Sequence, residues 1–146
     1  MKILVLISHV PDTTARIGFT NDNTQYDSNG VTFIVNPYDE WYALVRGLEL
    51  KEALGGTLTT ITVGGPETDP TIRKALAIGA DDAVRVDAQP TESYAVAAQV
   101  AAYAKDKAYD LILTGKETID HNGSQVGPML AELLDLSLIS LASKLD

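Results

Sequence analysis

The sequence contains no cysteine, which excludes disulfides, thiolate zinc sites and cysteine-bound iron–sulfur clusters. Any redox chemistry must come from a bound cofactor. Basic residues are also scarce: 11 Lys and Arg face 20 Asp and Glu, for a formal net charge of -9. Such a surface repels nucleic-acid backbones and anionic lipid, and with no Lys or Arg cluster in the chain, nucleic acid is not an expected partner. Long apolar runs are missing too. The Ile3–Ile7 run gives way at once to Ser8 and His9, too short for a signal sequence or a membrane span. Cytoplasmic residence without membrane insertion is the default expectation. Neither a Walker Gly-Lys-Ser/Thr sequence nor a G-x-G-x-x-G follows the first apolar run, so a phosphate-binding site would have to be built another way. What is present suits one compact domain: 146 residues, 45% of them hydrophobic.

Short β-branched runs alternate with helical patterns, which points to an α/β fold with a parallel sheet and crossover helices. Lys2–Ile7 reads as a buried first strand because it is continuously apolar. Phe19 and the run Val31–Val35 flank a turn-rich stretch, Asn21–Gly30, and suggest a small hairpin outside the main sheet. Asn36-Pro37 reads as a helix start, with Asn36 as cap, Pro37 in the first turn, and Asp39 and Glu40 facing the positive end of the dipole. Trp41, Leu44, Val45 and Leu48 form the stripe of that helix, which Gly55-Gly56 ends. Leu58–Val63 is a strand, Asp69–Ile78 a helix stopped by Gly79, Ala83–Val86 a strand and Ser93–Lys107 a helix. Leu111–Leu113 is a strand leading through a polar loop to a helix with Val126, Leu130, Leu133 and Leu134 inward. Leu138–Leu141 reads as a last strand.

In such sheets ligands bind beyond the carboxyl ends of the strands, near the reversal of strand order. Four segments occupy those positions: Ser8–Asp12, Asn36–Asp39, Gly64-Gly65-Pro66, and the loop from Gly115 to Gln125. The last is the richest, because it runs into a helix N-terminus, where free N–H groups and the dipole favour phosphate. Each feature also has a plain reading. Gly64-Gly65-Pro66 is good turn chemistry, Asn36 is an adequate cap, and Lys116 pairs with phosphate or simply lies exposed. Asp120 and His121 read as solvated loop polarity, since no third ligand or nucleophile is spaced to join them. His9 stays ambiguous, and Trp41 is more readily core than stacking platform.

Several of these segments resemble, in order, the beta subunit of electron transfer flavoproteins. They are Met1–Val5 with Val10-Pro11-Asp12-Thr13, Asn36-Pro37-Tyr38-Asp39-Glu40, Gly65-Pro66, Ile72–Asp81, and Gly115-Lys116-Glu117-Thr118-Ile119-Asp120 with Gln125-Val126-Gly127. The resemblance implies an open, mostly parallel, Rossmann-like sheet with helices on both faces that binds an adenine nucleotide. By that likeness the nucleotide contacts are Leu6 and Ile7, then Asn36, Pro37, Tyr38 and Asp39, then Gly64. The remaining contacts form one stretch: Gly115, Lys116, Glu117, Thr118, Ile119, Asp120, His121, Asn122, Gly123, Ser124, Gln125 and Val126. It further implies AMP in this subunit, with FAD there in electron-bifurcating relatives. The partners would be an alpha subunit carrying FAD and acyl-CoA or other flavin dehydrogenases, and the chain would be an electron carrier with no catalytic residues of its own.

Two departures from the pattern stand out. Val126 occupies a position where many AMP-binding members have Thr, leaving backbone donors alone for the phosphate. Family beta subunits also continue for roughly another hundred residues, a sizeable part of a domain, including the arm that embraces the alpha subunit. The expectation is a single nucleotide-binding domain over residues 1–146, with Leu138, Ile139 and Leu141 beside sheet or partner surface that a longer chain would cover, so that the fragment is prone to self-association. A regulatory module like the universal stress proteins is the alternative. Its phosphate loop is densely glycine-rich, whereas the segment here has only Gly115 and Gly123.

Overall fold

In the computed structural model, which describes residues 1–145, the continuously apolar start forms β1 (Lys2–Leu6), almost wholly buried. The chain then makes β2 (His9–Pro11), β3 (Phe19–Thr20), β4 (Gln25–Tyr26) and β5 (Phe33–Val35) before α1 (Asp39–Leu54). It continues through β6 (Thr57–Val63), α2 (Asp69–Ile78), β7 (Asp82–Val86), α3 (Ser93–Ala104), β8 (Leu111–Leu113) and α4 (Val126–Leu133). The order of the main sheet is β7-β6-β1-β8, and every pairing in it is parallel. The chain steps outward from β1 to β6 and β7, then returns across the sheet to place β8 on the other side of β1. Strand order therefore reverses between β1 and β8, and a crevice opens beyond their carboxyl ends.

Alternation along β1 assigns its side chains to two cores. Ile3, Val5 and Ile7 pack with Leu44, Leu50, Leu58 and Ala75 against α1 and α2. Leu4 and Leu6 pack with Ile61, Ala97, Val100 and Leu130 against α3 and α4. Helices on both faces are what the resemblance implies. At the α1–β6 turn Gly56 sits at φ 126° with the Met1 backbone where a Cβ would go, so only glycine fits. Among the described residues no helix is long and apolar enough to cross a membrane.

Three expectations need correction. The hairpin outside the main sheet pairs Phe19 with Tyr26 and Thr20 with Gln25. The Val31–Val35 run does not join it, because Phe33–Val35 instead pairs antiparallel with His9–Pro11. Asn36 does not cap α1. That helix starts at Asp39, with Tyr38 at φ 63° in the capping position and no side-chain cap bond. The Asn36 side chain is instead committed to the backbone of Glu117 and Ile119. Leu138–Leu141 forms no strand; Ile139 and Leu141 are 83% and 75% exposed.

Candidate functional site

The carboxyl ends of β1, β6, β7 and β8 surround a cleft of about 680 Å³. Leu6, Ile7 and Ser8 line it at the end of β1, Gly64 at the end of β6, and Thr114 to Thr118 at the end of β8. Gln89 to Ser93, between β7 and α3, close one side, and Gly123 to Val126 bring in the start of α4.

The N-terminal segment of α1 brackets this cleft. Asn36 is 1% exposed; its Nδ2 donates to the Glu117 carbonyl at 2.9 Å and its Oδ1 accepts from the Ile119 N–H at 2.9 Å. The Asp39 carboxylate accepts from the Glu117 N–H at 3.2 Å. Glu40, next along the chain, is 4% exposed and turns the other way. Its two oxygens lie 2.6 Å from the Ser8 N–H and 2.7 Å from the Ser8 hydroxyl. Gly115 packs directly on Glu40, so a Cβ there would stand 2.7 Å from Glu40 Cγ. Burial pushes the Glu40 carboxyl up to about 8, the two Ser8 hydrogen bonds oppose that shift, and the charges of Asp120 and Asp39 add to it.

At the other end of the loop, Asn122 and Ser124 have φ of 50° and 52°, on either side of Gly123, which has no positive φ. Left-handed Ser124 is followed directly by right-handed Gln125, at φ -113° and ψ -25°, and such a change of handedness is the backbone arrangement that forms anion-binding concavities. α4 begins immediately afterwards, with Gln125 providing no side-chain cap, so its first N–H groups have no intrahelical acceptor. The Ser124 hydroxyl donates to Glu117 Oε2 at 2.9 Å and ties this turn to the loop's start.

Cations are few here. Among the described residues Lys116 is the only Lys or Arg lining the cleft, beside Glu40, Glu67, Glu92, Glu117 and Asp120. Its Nζ pairs with Glu117 Oε1 at 2.8 Å, which raises the lysine and lowers the glutamate from their ordinary ranges. An anion in this cleft would be held chiefly by backbone dipoles. His9 lies flat on Phe33, ring centroids 4.4 Å apart, with Nδ1 2.8 Å from Thr71 Oγ1; burial lowers its basicity against the opposing charge of Glu67. His121 is an exposed side chain 3.8 Å from Asp120, and no metal-binding cluster occurs among the described residues.

The residues singled out from the sequence divide by position. Leu6, Ile7, Gly64, Gly115, Lys116, Glu117, Thr118, Asp120, His121, Gly123, Ser124, Gln125 and Val126 line the cleft. Asn36 and Asp39 stand behind it, holding the loop. Ile119 meets Asn36 through its amide, and Asn122 closes a turn onto the Thr118 carbonyl. Pro37 and Tyr38 instead line a separate groove of about 600 Å³ with Trp41, Tyr42, Pro70 and Lys74. Not every backbone group is open to a ligand. The Gly64 N–H donates to Val86 O, and Ile7 uses its N–H on Ile61 O and its carbonyl on Thr62 Oγ1. Sequence reading placed Ser8 in a strand-end segment but did not single out its partner Glu40 as a functional residue. The signal for Glu40 was its spacing from Leu44 and Gly47, since positions i, i+4 and i+7 share the inward face of α1.

Comparison with known proteins shows what the chain is similar to. The electron transfer flavoprotein domain model matches residues 24–146. The chain is 41% identical over 150 residues to the electron transfer flavoprotein subunit beta of Bacillus subtilis (strain 168), covering 100% of this chain and 57% of that protein. It is 38% identical to Protein FixA of Azotobacter vinelandii, covering 99% of this chain and 53% of that one. The subunit beta of Thermoanaerobacterium thermosaccharolyticum is 33% identical, with 100% and 56% covered. The chain thus spans about half the length of the relatives it matches, and by the family model it belongs to the electron transfer flavoprotein domain family.

Proposed function

We propose that this domain binds an adenine nucleotide, AMP, in the cleft at the carboxyl ends of its parallel strands. The phosphate lies against the Gly123–Val126 backbone. The observation that carries this reading is the coincidence, at the point where strand order reverses, of the cleft, the left-handed to right-handed step from Ser124 to Gln125 and the uncapped start of α4. Those features supply N–H donors without a cationic side chain, which suits a cleft lined by carboxylates. Half-buried Val63 and Val96 offer an apolar surface for a planar base.

Within the family context, the domain is the nucleotide-holding part of an electron transfer flavoprotein beta subunit. It pairs with an alpha subunit that carries FAD, and the complex passes electrons from flavin dehydrogenases to an acceptor. The domain is then a carrier component whose residues bind and position and do not catalyse. FAD in place of AMP is the variant reading, favoured by the cleft volume, which leaves room for more than a mononucleotide. Heating purified protein and identifying the released nucleotide by mass spectrometry tests the assignment. AMP is expected; FAD would move the domain to the bifurcating type, and a consistent absence of nucleotide, with no uptake on adding either, would refute the reading.

A further inference from the structure

Glu40 is a buried carboxyl beside the cleft, and among the described residues no cation pairs with it. Its neighbours are Ser8 at the exit of β1, Asp39 on its own helix, and Gly115 and Asp120 on the loop after β8. A buried acid without a cationic partner is costly to keep, and an apolar residue of similar size would fill the space more cheaply. What Glu40 provides is a connection. Both its oxygens engage Ser8, while its stem forms the surface against which Gly115 packs, so one side chain spans the exits of the two strands that flank the crevice.

We infer that Glu40 is a positioning residue for the ligand: by holding Ser8 and seating Gly115, it sets the relative placement of the β1 and β8 exits that the nucleotide enters between. This inference rests on the nucleotide reading above. Asn36 and Asp39 complete the same bracket from the loop side, so the first turn of α1 and its approach act on the ligand through backbone they hold in place. A neutral side chain meets the requirement. With a proton on the carboxyl, one oxygen accepts from the Ser8 N–H and the other shares its proton with the Ser8 hydroxyl, an arrangement that an amide reproduces.

The test compares Glu40→Ala, Ser8→Ala and Glu40→Gln in two measurements: AMP affinity by calorimetry, and backbone amide exchange by NMR on the nucleotide-free protein. Glu40→Ala and Ser8→Ala should weaken AMP by about tenfold or more, as expected for a lost buried hydrogen bond, and Glu40→Gln should restore affinity to near the unmutated level. In the free protein, the Ser8 and Glu117 amides should lose protection in Glu40→Ala and keep it in Glu40→Gln, while Leu4 and Ile61 in the sheet keep theirs in both. Should Glu40→Ala fail to fold, Ser8→Ala and Glu40→Gln still carry the comparison. Unchanged AMP affinity in Glu40→Ala or Ser8→Ala overturns the inference, as does a Glu40→Gln variant as weak as the alanine one, or exchange that rises across the whole sheet. If the unmutated protein takes no AMP, the nucleotide reading falls, and the bracket stands or falls on the Ser8 and Glu117 amides alone.

Discussion

Asn36 and Ile119 are 83 positions apart in the chain, yet the Asn36 side-chain carbonyl accepts the Ile119 N–H at 2.9 Å. With the companion bond from Asn36 Nδ2 to the Glu117 carbonyl, the amide forms two contacts with the loop that ends at α4.

Asn36→Ala should therefore cost more than a lost helix cap, which is typically about 1 kcal/mol. Two hydrogen bonds to a part-buried loop vanish, and the expected destabilisation is about 2–3 kcal/mol, read from urea unfolding. Limited proteolysis should show the loop between Gly115 and Gln125 cut sooner. A loss near 1 kcal/mol with an unaltered loop would contradict the account.

Glu40 should give the stability curve an alkaline slope. Its folded-state value, raised to about 8, lies above the ordinary 4.5, so the native state keeps the proton through a range in which the unfolded chain has released it. The contribution is fully present below about pH 4.5 and is lost as pH rises through about 8, an upper bound on the order of 5 kcal/mol. Glu40→Gln should flatten this segment and be the more stable protein at pH 9. Asp81 acts in the opposite direction. Its carboxylate accepts the Leu58 N–H and pairs with Lys51, holding it below the usual range, so its contribution is lost as pH falls below about 4. Urea titrations from pH 3 to 9 on both proteins separate the two effects.

Gly115→Ala should destabilise the fold by about 1–3 kcal/mol, the usual cost of overpacking. The new methyl would meet Glu40 Cγ at 2.7 Å and Asp39 Cβ at 3.1 Å. Gly123→Ala meets only Ser93 Oγ at 3.2 Å and should be far milder in thermal unfolding. If the two glycines prove equally tolerant, Gly115 is not seated as described.

Ile139→Glu combined with Leu141→Glu should leave stability unchanged within about 0.5 kcal/mol, because both side chains are largely exposed. If self-association follows from the exposed apolar segment, light scattering should show less concentration dependence in the double variant than in the parent.

Much of the fold was legible because buried parallel strands announce themselves as uninterrupted apolar runs. Lys2–Leu6 and Leu111–Leu113 lie where such runs stand, and Asp69–Ile78 matches its expected bounds because Pro70 and Gly79 mark both ends. Pairing partners were harder. Val31–Val35 looked like one arm of a hairpin, and only the tertiary arrangement matched Phe33–Val35 with His9–Pro11. Leu138–Leu141 has strand composition but finds no sheet edge among the described residues. The loop from Gly115 to Val126 could be recognised as a phosphate candidate from its place before a helix. Asn36 and Asp39 could be singled out but not given their role, since a cap and a long-range loop clamp demand the same residue types. Glu40 was read as facing the positive end of the helix dipole; only its register with Leu44 and Gly47 indicated that it faces inward.

The central claim is that the strand-end cleft is the nucleotide site. The most direct measurement titrates AMP into ¹⁵N-labelled, nucleotide-free protein and follows the backbone amides. The account predicts saturable shifts concentrated at Ser8, Gly64 and Gly123 to Val126. No saturable shift, or shifts centred on Tyr38, Trp41 and Lys74 in the other groove, would contradict it.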